Sequence, residues 1–137
     1  MNTTSPLLTD LYQLTMGYGY WKNGMADRET VFHLFYRRAP FGGEVAIVAG
    51  TGPAADFLHE LNFTESELHY LATLTGDDGK ALFCEGYLNH LRNLEWKLEV
   101  DVLPEGELAF PHEPIVRVRG PLIQCQLVET ALLNIVN

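Results

Sequence analysis

Cysteines and cations are both scarce in this chain of 137 residues. The two cysteines, Cys84 and Cys125, stand far apart with no C-x-x-C pattern, and each reads as a small buried hydrophobe. Nine Lys and Arg against 18 Asp and Glu give a formal net charge of -9, with the charges scattered. That balance excludes nucleic acid as a partner, because a phosphate-tracking surface needs clustered cations. A small anionic substrate needs only two or three well-placed ones. No run of eighteen apolar residues occurs, and the opening MNTTSPLLTDLYQ has neither a basic n-region nor an apolar h-region. The expectation is a soluble cytoplasmic protein with no membrane partner. The five histidines, His33, His59, His69, His90 and His112, have no H-x-H or H-x-x-x-H spacing, and no G-x-S-x-G or P-loop occurs. No metal site and no catalytic residue is therefore assigned.

What is present suffices for one folded unit: 47% of the residues are hydrophobic and 11% are aromatic. Leu11, Leu14 and Tyr18 recur at helical spacing from Thr9 to about Trp21, with Thr9 or Asp10 as cap. Thr30 to Arg38 is dense in β-branched and aromatic residues and runs into the breaker-rich Ala39-Pro40-Phe41-Gly42-Gly43, which predicts a strand and a loop. A short strand over 44–49 and a helix over about 50–61 follow. Thr64 and Glu67 fit a capping box for a helix to about Leu74. After a Gly-Asp-Asp-Gly turn comes a helix from about Ala81 to Leu94. Strands over 96–103, with Trp96, Leu98, Val100 and Val102 on one face, and over 115–119, joined by two Pro-rich corners, predict a small antiparallel unit. The layout is α+β.

Gly120 and Pro121 break the chain before a last helix, PLIQCQLVETALLNIVN, apolar around nearly its whole circumference. Such a helix is normally buried in a larger core. No further element follows to cover it, so the expectation is a fragment that leaves this helix exposed.

Four places invite a chemical reading. Gly50-x-Gly52-x-x-Ala55 follows a strand and opens a helix, as a dinucleotide fingerprint does, but nothing strand-like appears before about Trp96 to complete a parallel unit, and a plain turn is preferred. Arg37 and Arg38 place two of nine cations together at a strand end before Phe41-Gly42-Gly43. One of them is suited to clamp a phosphate; adjacent strand residues face opposite ways, so at most one enters a given pocket. Tyr12 lies off the apolar stripe of the first helix, placed to stack on a planar ring or a partner subunit. Glu105 and Glu107 flank a turn glycine and are expected to point into solvent.

Leu7-Leu8-Thr9-Asp10-Leu11-Tyr12-Gln13 with Thr15-Met16, Phe35-Tyr36-Arg37-Arg38-Ala39-Pro40-Phe41-Gly42-Gly43, Leu103-Pro104-Glu105-Gly106 with Ala109-Phe110-Pro111, and Gly120-Pro121-Leu122 with Gln126-Leu127-x-Glu129-Thr130-Ala131-Leu132-Leu133-Asn134 together resemble the nicotinate phosphoribosyltransferase family. Four motifs in register over nearly the whole chain carry that resemblance. The strings around Tyr12 and Arg37 resemble the nicotinamide-specific relatives less well. One departure is Thr51-Gly52-Pro53, where the family carries a more helix-like, often acidic stretch.

The resemblance implies a type II phosphoribosyltransferase fold, with residues 1–120 as the N-terminal α/β domain and residues 121–137 as the first helix of a following α/β barrel. It implies an enzyme of NAD salvage, a homodimer. Its reaction joins nicotinate and 5-phosphoribosyl 1-diphosphate into nicotinate mononucleotide and pyrophosphate, with ATP hydrolysis coupled through a phosphohistidine and Mg2+ as implied cofactor. The phosphohistidine would lie beyond Asn137, leaving this chain inactive by itself and without a cofactor of its own. By motif position, Tyr12 matches a tyrosine that stacks on the pyridine ring in the neighbouring subunit's site. Arg37 matches an arginine that helps to hold the phosphoribosyl diphosphate, with Arg38 beside it. The rival reading is a non-catalytic binding or dimerisation module derived from the same domain.

Overall fold

The computed structural model describes residues 5–137; the first four residues of the N-terminal segment read above lie outside the described residues. Helix α1 (Leu11–Lys22) buries Gln13, Leu14 and Gly17, while Leu11 is exposed. The expected stripe is thus rotated, because the neighbouring helix accepts a glutamine and a glycine where it has no room for bulk. Asp10 takes the N-cap position in extended conformation, but neither it nor Thr9 caps through its side chain; the Thr9 hydroxyl is buried without a partner.

Strand β1 (Glu29–Leu34) ends four residues before the expected Arg38, since no strand continues the pairing past Leu34 opposite Val116. A single 3-10 turn over Pro40–Gly42 follows, and β2 (Ala46–Ile47) is shorter than expected. Helix α2 (Thr51–Glu60) and helix α3 (Glu65–Thr73) come next, the latter with its reciprocal Thr64–Glu67 capping box complete. Helix α4 spans only Glu85–Arg92. Ala81 instead bridges back to Thr75, closing the Gly-Asp-Asp-Gly turn, and Phe83 drops into the core ahead of the cap. Strands β3 (Glu99–Val102), β4 (Leu108–Ala109) and β5 (Val116–Pro121) precede the last helix, α5 (Leu122–Val136).

Among the described residues every strand pairing is antiparallel: β5 lies between β1 and β3 in one sheet, and β2 pairs β4 in a ribbon. Phe32 and Val100 both face Val118 across β5, which puts one side of the sheet against the helices. Of the expected face of Trp96, Leu98, Val100 and Val102, the first three pack on that core, whereas Val102 is exposed at the strand end, and the regular strand begins only at Glu99.

Helix α5 belongs to two cores at once. Its Cys125, Val128, Ala131 and Leu132 pack with the sheet and with Ala54 and Phe57 of α2. Ile123 and Leu127 pack with Leu14 of α1, Leu68 and Leu71 of α3, and Tyr87 and Leu91 of α4. That explains apolar residues on most sides of one helix. It also corrects the expectation of an uncovered helix: residues 123–128 are buried within this chain, and Leu133 near the end is the exposed large apolar side chain.

Candidate functional site

Where β1 stops, the chain bends through Arg37 and Arg38 and the two guanidinium groups part. Arg37 lines a groove of about 310 Å³ between β1 and α5, with Phe32, Leu34, Val128, Glu129 and Leu132. Arg38 lines a neighbouring cavity of about 420 Å³ toward β2 and the end of α5, with Tyr36, Ile47, Val48 and Asn134. The expectation that only one of the pair enters a given pocket holds, although a bend rather than a strand separates them. Both arginines are exposed, and among the described residues neither forms an ion pair, whereas Arg92, Arg117 and Arg119 are each tied to a carboxylate. Two open guanidinium groups in an acidic chain are free to meet an anion.

The loop beyond them, Ala39 to Gly43, holds Phe41 wholly exposed in left-handed conformation at φ 57°. A bulky side chain there is strained backbone, kept where the loop aims an aromatic ring outward.

Tyr12 stands on the exposed face of α1, 49% accessible, outside both grooves. Its hydroxyl accepts a hydrogen bond from Gln13 Nε2 at 2.8 Å. Gln13 in turn donates to Thr130 Oγ1 and accepts from Gln126, and Gln126 also donates to Glu129 Oε2 at 3.0 Å. Tyr12 and the Arg37 groove are therefore joined through α5, because Glu129 is both a wall of that groove and the end of this chain of bonds. Gln13, Gln126 and Glu129 were not singled out from sequence. The available signal was polar side chains recurring within an otherwise apolar helix, which are tolerated in a core only when bonded.

Two features depart from expectation. Glu105 does not point away into solvent: its Oε1 accepts the backbone N–H groups of Gly50 and Gly52 at the start of α2. The Gly50-x-Gly52 turn is thus occupied by the protein's own carboxylate, and its strand, β2, runs antiparallel to β4, which removes the dinucleotide reading. Cys84 is exposed at the N-cap of α4, where a hydrogen bond from Tyr18 pulls the thiol below its ordinary range; only Cys125 is buried, and burial pushes its thiol up to about 11. Among the described residues there is no group of three or more His, Cys, Asp or Glu able to hold a metal, and no helix is long and apolar enough to cross a membrane.

Comparison with solved structures first gives the fold. The nicotinate-nucleotide pyrophosphorylase of Pyrococcus furiosus superposes over 93% of this chain and 24% of its own with a TM-score of 0.59 at 16% identity, which is a likeness of fold alone. The crystal structure of human nicotinic acid phosphoribosyltransferase matches 93% of this chain and 25% of its own at a TM-score of 0.82 and 42% identity. Residues 7–137 match the family model of the nicotinate phosphoribosyltransferase (NAPRTase) N-terminal domain, and the chain belongs to that family. The nicotinate phosphoribosyltransferases of Rattus norvegicus and Homo sapiens are 45% and 44% identical over 133 residues, 96% of this chain. The chain spans about a quarter, 24%, of the length of those relatives.

Proposed function

We propose that this chain serves as the N-terminal domain of a nicotinate phosphoribosyltransferase, a cytoplasmic homodimer of NAD salvage. Residues 121–137 open its barrel. The reaction displaces pyrophosphate from 5-phosphoribosyl 1-diphosphate by the nitrogen of nicotinate, coupled to ATP hydrolysis with Mg2+. The observation that carries the reading is the family match over residues 7–137. It is supported by an open guanidinium in a groove and an exposed tyrosine bonded toward the same helix.

In this reading Arg37 clamps a phosphate of the phosphoribosyl diphosphate through its fork of N–H donors, with Arg38 at the rim, and neutralises charge as the diphosphate leaves. Tyr12 offers its ring face to the pyridine, fixing the nucleophile's orientation, a contribution of proximity rather than of bond making. ATP and Mg2+ are bound by parts of the enzyme other than this chain's described residues. The chain alone makes no nicotinate mononucleotide.

The test is a grafted enzyme in which residues 7–137 replace the matching segment of the human relative. Formation of nicotinate mononucleotide by the graft, lost on Arg37→Ala, is the expected result. A folded graft without activity would instead favour the binding or dimerisation module.

A further inference from the structure

Gln13 and Gln126 are both buried, at 0% and 4% exposure, and both amides are fully engaged between α1 and α5. Gln126 Oε1 accepts from the Tyr20 hydroxyl at 3.3 Å, while its Nε2 donates both to Gln13 Oε1 and to Glu129 Oε2. Gln13 Nε2 spends its two protons on Tyr12 Oη and Thr130 Oγ1. The direction of this chain is fixed at one end. Glu129 Oε2 accepts from Gln126 Nε2, so Gln126 turns its NH2 toward the carboxylate. The same NH2 then faces Gln13 Oε1, which leaves Gln13 Nε2 facing the phenol. At the other end Tyr12 Oη is an acceptor from the protein, and its own proton is left for a group outside.

We infer that Glu129, Gln126 and Gln13 form a positioning relay for Tyr12: they hold its ring on the exposed face of α1 and commit its hydroxyl proton to an anionic oxygen of the bound substrate. This rests on the reading above that Tyr12 meets nicotinate. A buried amide pair that merely joined two helices would have no need of a carboxylate at one end and an exposed phenol at the other. Because Glu129 also lines the Arg37 groove, the charge that orients Tyr12 sits where the second substrate's phosphate is proposed to bind.

The test uses the full chain with isotope-labelled tyrosine rings, and the variants Glu129→Gln and Gln126→Met. In Glu129→Gln an amide replaces the carboxylate without loss of volume, so Gln126 can turn either way. The Tyr12 ring signals should shift or split although Glu129 is not bonded to Tyr12, while the signals of Tyr36, packed on the sheet core with its hydroxyl on Ala109 O, stay put. Tyr12 signals identical to wild type in a folded Glu129→Gln chain would overturn the relay. Gln126→Met, where it folds, should mobilise the Tyr12 ring further; an unmoved ring counts against the relay equally. In the grafted enzyme Glu129→Gln should raise the nicotinate KM by about threefold or more with kcat little changed, and should add nothing once Tyr12 is Phe, since the hydroxyl it orients is gone. Additive effects in that double variant would show that Glu129 does not act through the hydroxyl and would overturn the proposal. Ring signals that respond while KM does not would leave the relay standing and remove Tyr12 as a nicotinate contact.

Discussion

The carboxylate of Glu105 receives the backbone N–H of Gly52 at 2.9 Å, across 53 residues of sequence, and caps α2 from outside the helix. Gly50 at the N-cap position has no side chain to do so, and the first turn of α2 carries no acidic residue. The negative charge favoured at a helix N-terminus is thus supplied from the β3–β4 corner. That corner is itself tied to β2 by Val48 N–H to Glu107 O and Gly106 N–H to Val48 O. Glu105→Ala should therefore cost about 0.5–2 kcal/mol of stability, as loss of a cap does, seen as a lower urea midpoint at unchanged slope. Gly50→Ala should cost more than that: the residue sits at φ 89°, and a Cβ would lie 2.7 Å from the Ile135 carbonyl oxygen.

A second pair is coupled by contact rather than by charge. A Cβ at Gly17 would stand 2.8 Å from the Tyr87 hydroxyl, which donates to Leu14 O at 3.2 Å. Gly17→Ala should destabilise through that clash, and Tyr87→Phe should cost about 0.5–1.5 kcal/mol for the lost bond. The double variant should be more stable than the sum of the two predicts, by about 0.5 kcal/mol or more in a denaturant cycle, because Phe vacates the space the methyl needs. Strict additivity would mean the helix had moved instead.

The two thiols should separate cleanly in reactivity. Cys84 is exposed, and its thiolate is favoured by the Tyr18 hydroxyl and by backbone N–H groups of Gly86 and Tyr87, whereas Cys125 is buried beneath the sheet. A thiol-specific reagent near neutral pH should modify one cysteine rapidly and the second only on unfolding. Cys84→Ser should abolish the fast phase; two fast equivalents would contradict the packing of α5.

Cys125 also predicts how stability responds to alkali. Burial raises its thiol from 9.0 to about 11, so the neutral form is the folded one. The contribution is whole below pH 9, where the unfolded thiol is still protonated, and is lost as pH rises through about 11. Burial raises the Tyr87 phenol as well, with the same sign. A shift of this size corresponds to roughly 2–3 kcal/mol at most. Cys125→Ala should be less stable near neutral pH but should lose less between pH 9 and 11, measured by urea unfolding at each pH.

The elements whose physics is local were legible in the sequence. The Thr64–Glu67 box, the Gly-Asp-Asp-Gly turn and the alternating face of Trp96, Leu98 and Val100 depend on spacing alone. What depends on partners distant in sequence was not. Leu11 fits the buried stripe by its apolar character, but Gln13, bonded to Gln126 across 113 residues, holds the buried position. Glu105 looked like a solvent-facing turn residue because its acceptors, Gly50 and Gly52, are far back in the chain. Arg37 and Arg38 were recognised as a pair, while the bend that sends them to separate cavities follows from where β5 ceases to pair β1.

The remaining prediction concerns Tyr12 itself in the grafted enzyme. Its ring is half exposed and its hydroxyl is held from behind by Gln13, so the face of the ring is available to a planar ligand. Stacking on a pyridine is worth roughly 0.5–1.5 kcal/mol beyond area burial, and Tyr12→Ala should lower kcat/KM for nicotinate about tenfold. Tyr12→Phe keeps the ring and should cost less, about threefold, the share that the hydroxyl carries. If Tyr12 were only a packing residue, Ala would lower stability and leave the kinetics of the folded enzyme alone. Whether the ring serves the opposite subunit is decided by mixing a Tyr12→Ala subunit with one inactivated by a substitution in the human relative's part of the graft. A site shared between subunits regains all its wild-type groups in one of the heterodimer's two pockets, so activity should return on mixing. A site built within one subunit gains nothing, because every pocket then lacks either the ring or the barrel's catalytic group; heterodimers that form and show no more activity than the Tyr12→Ala enzyme supplies would place Tyr12 in its own subunit's site.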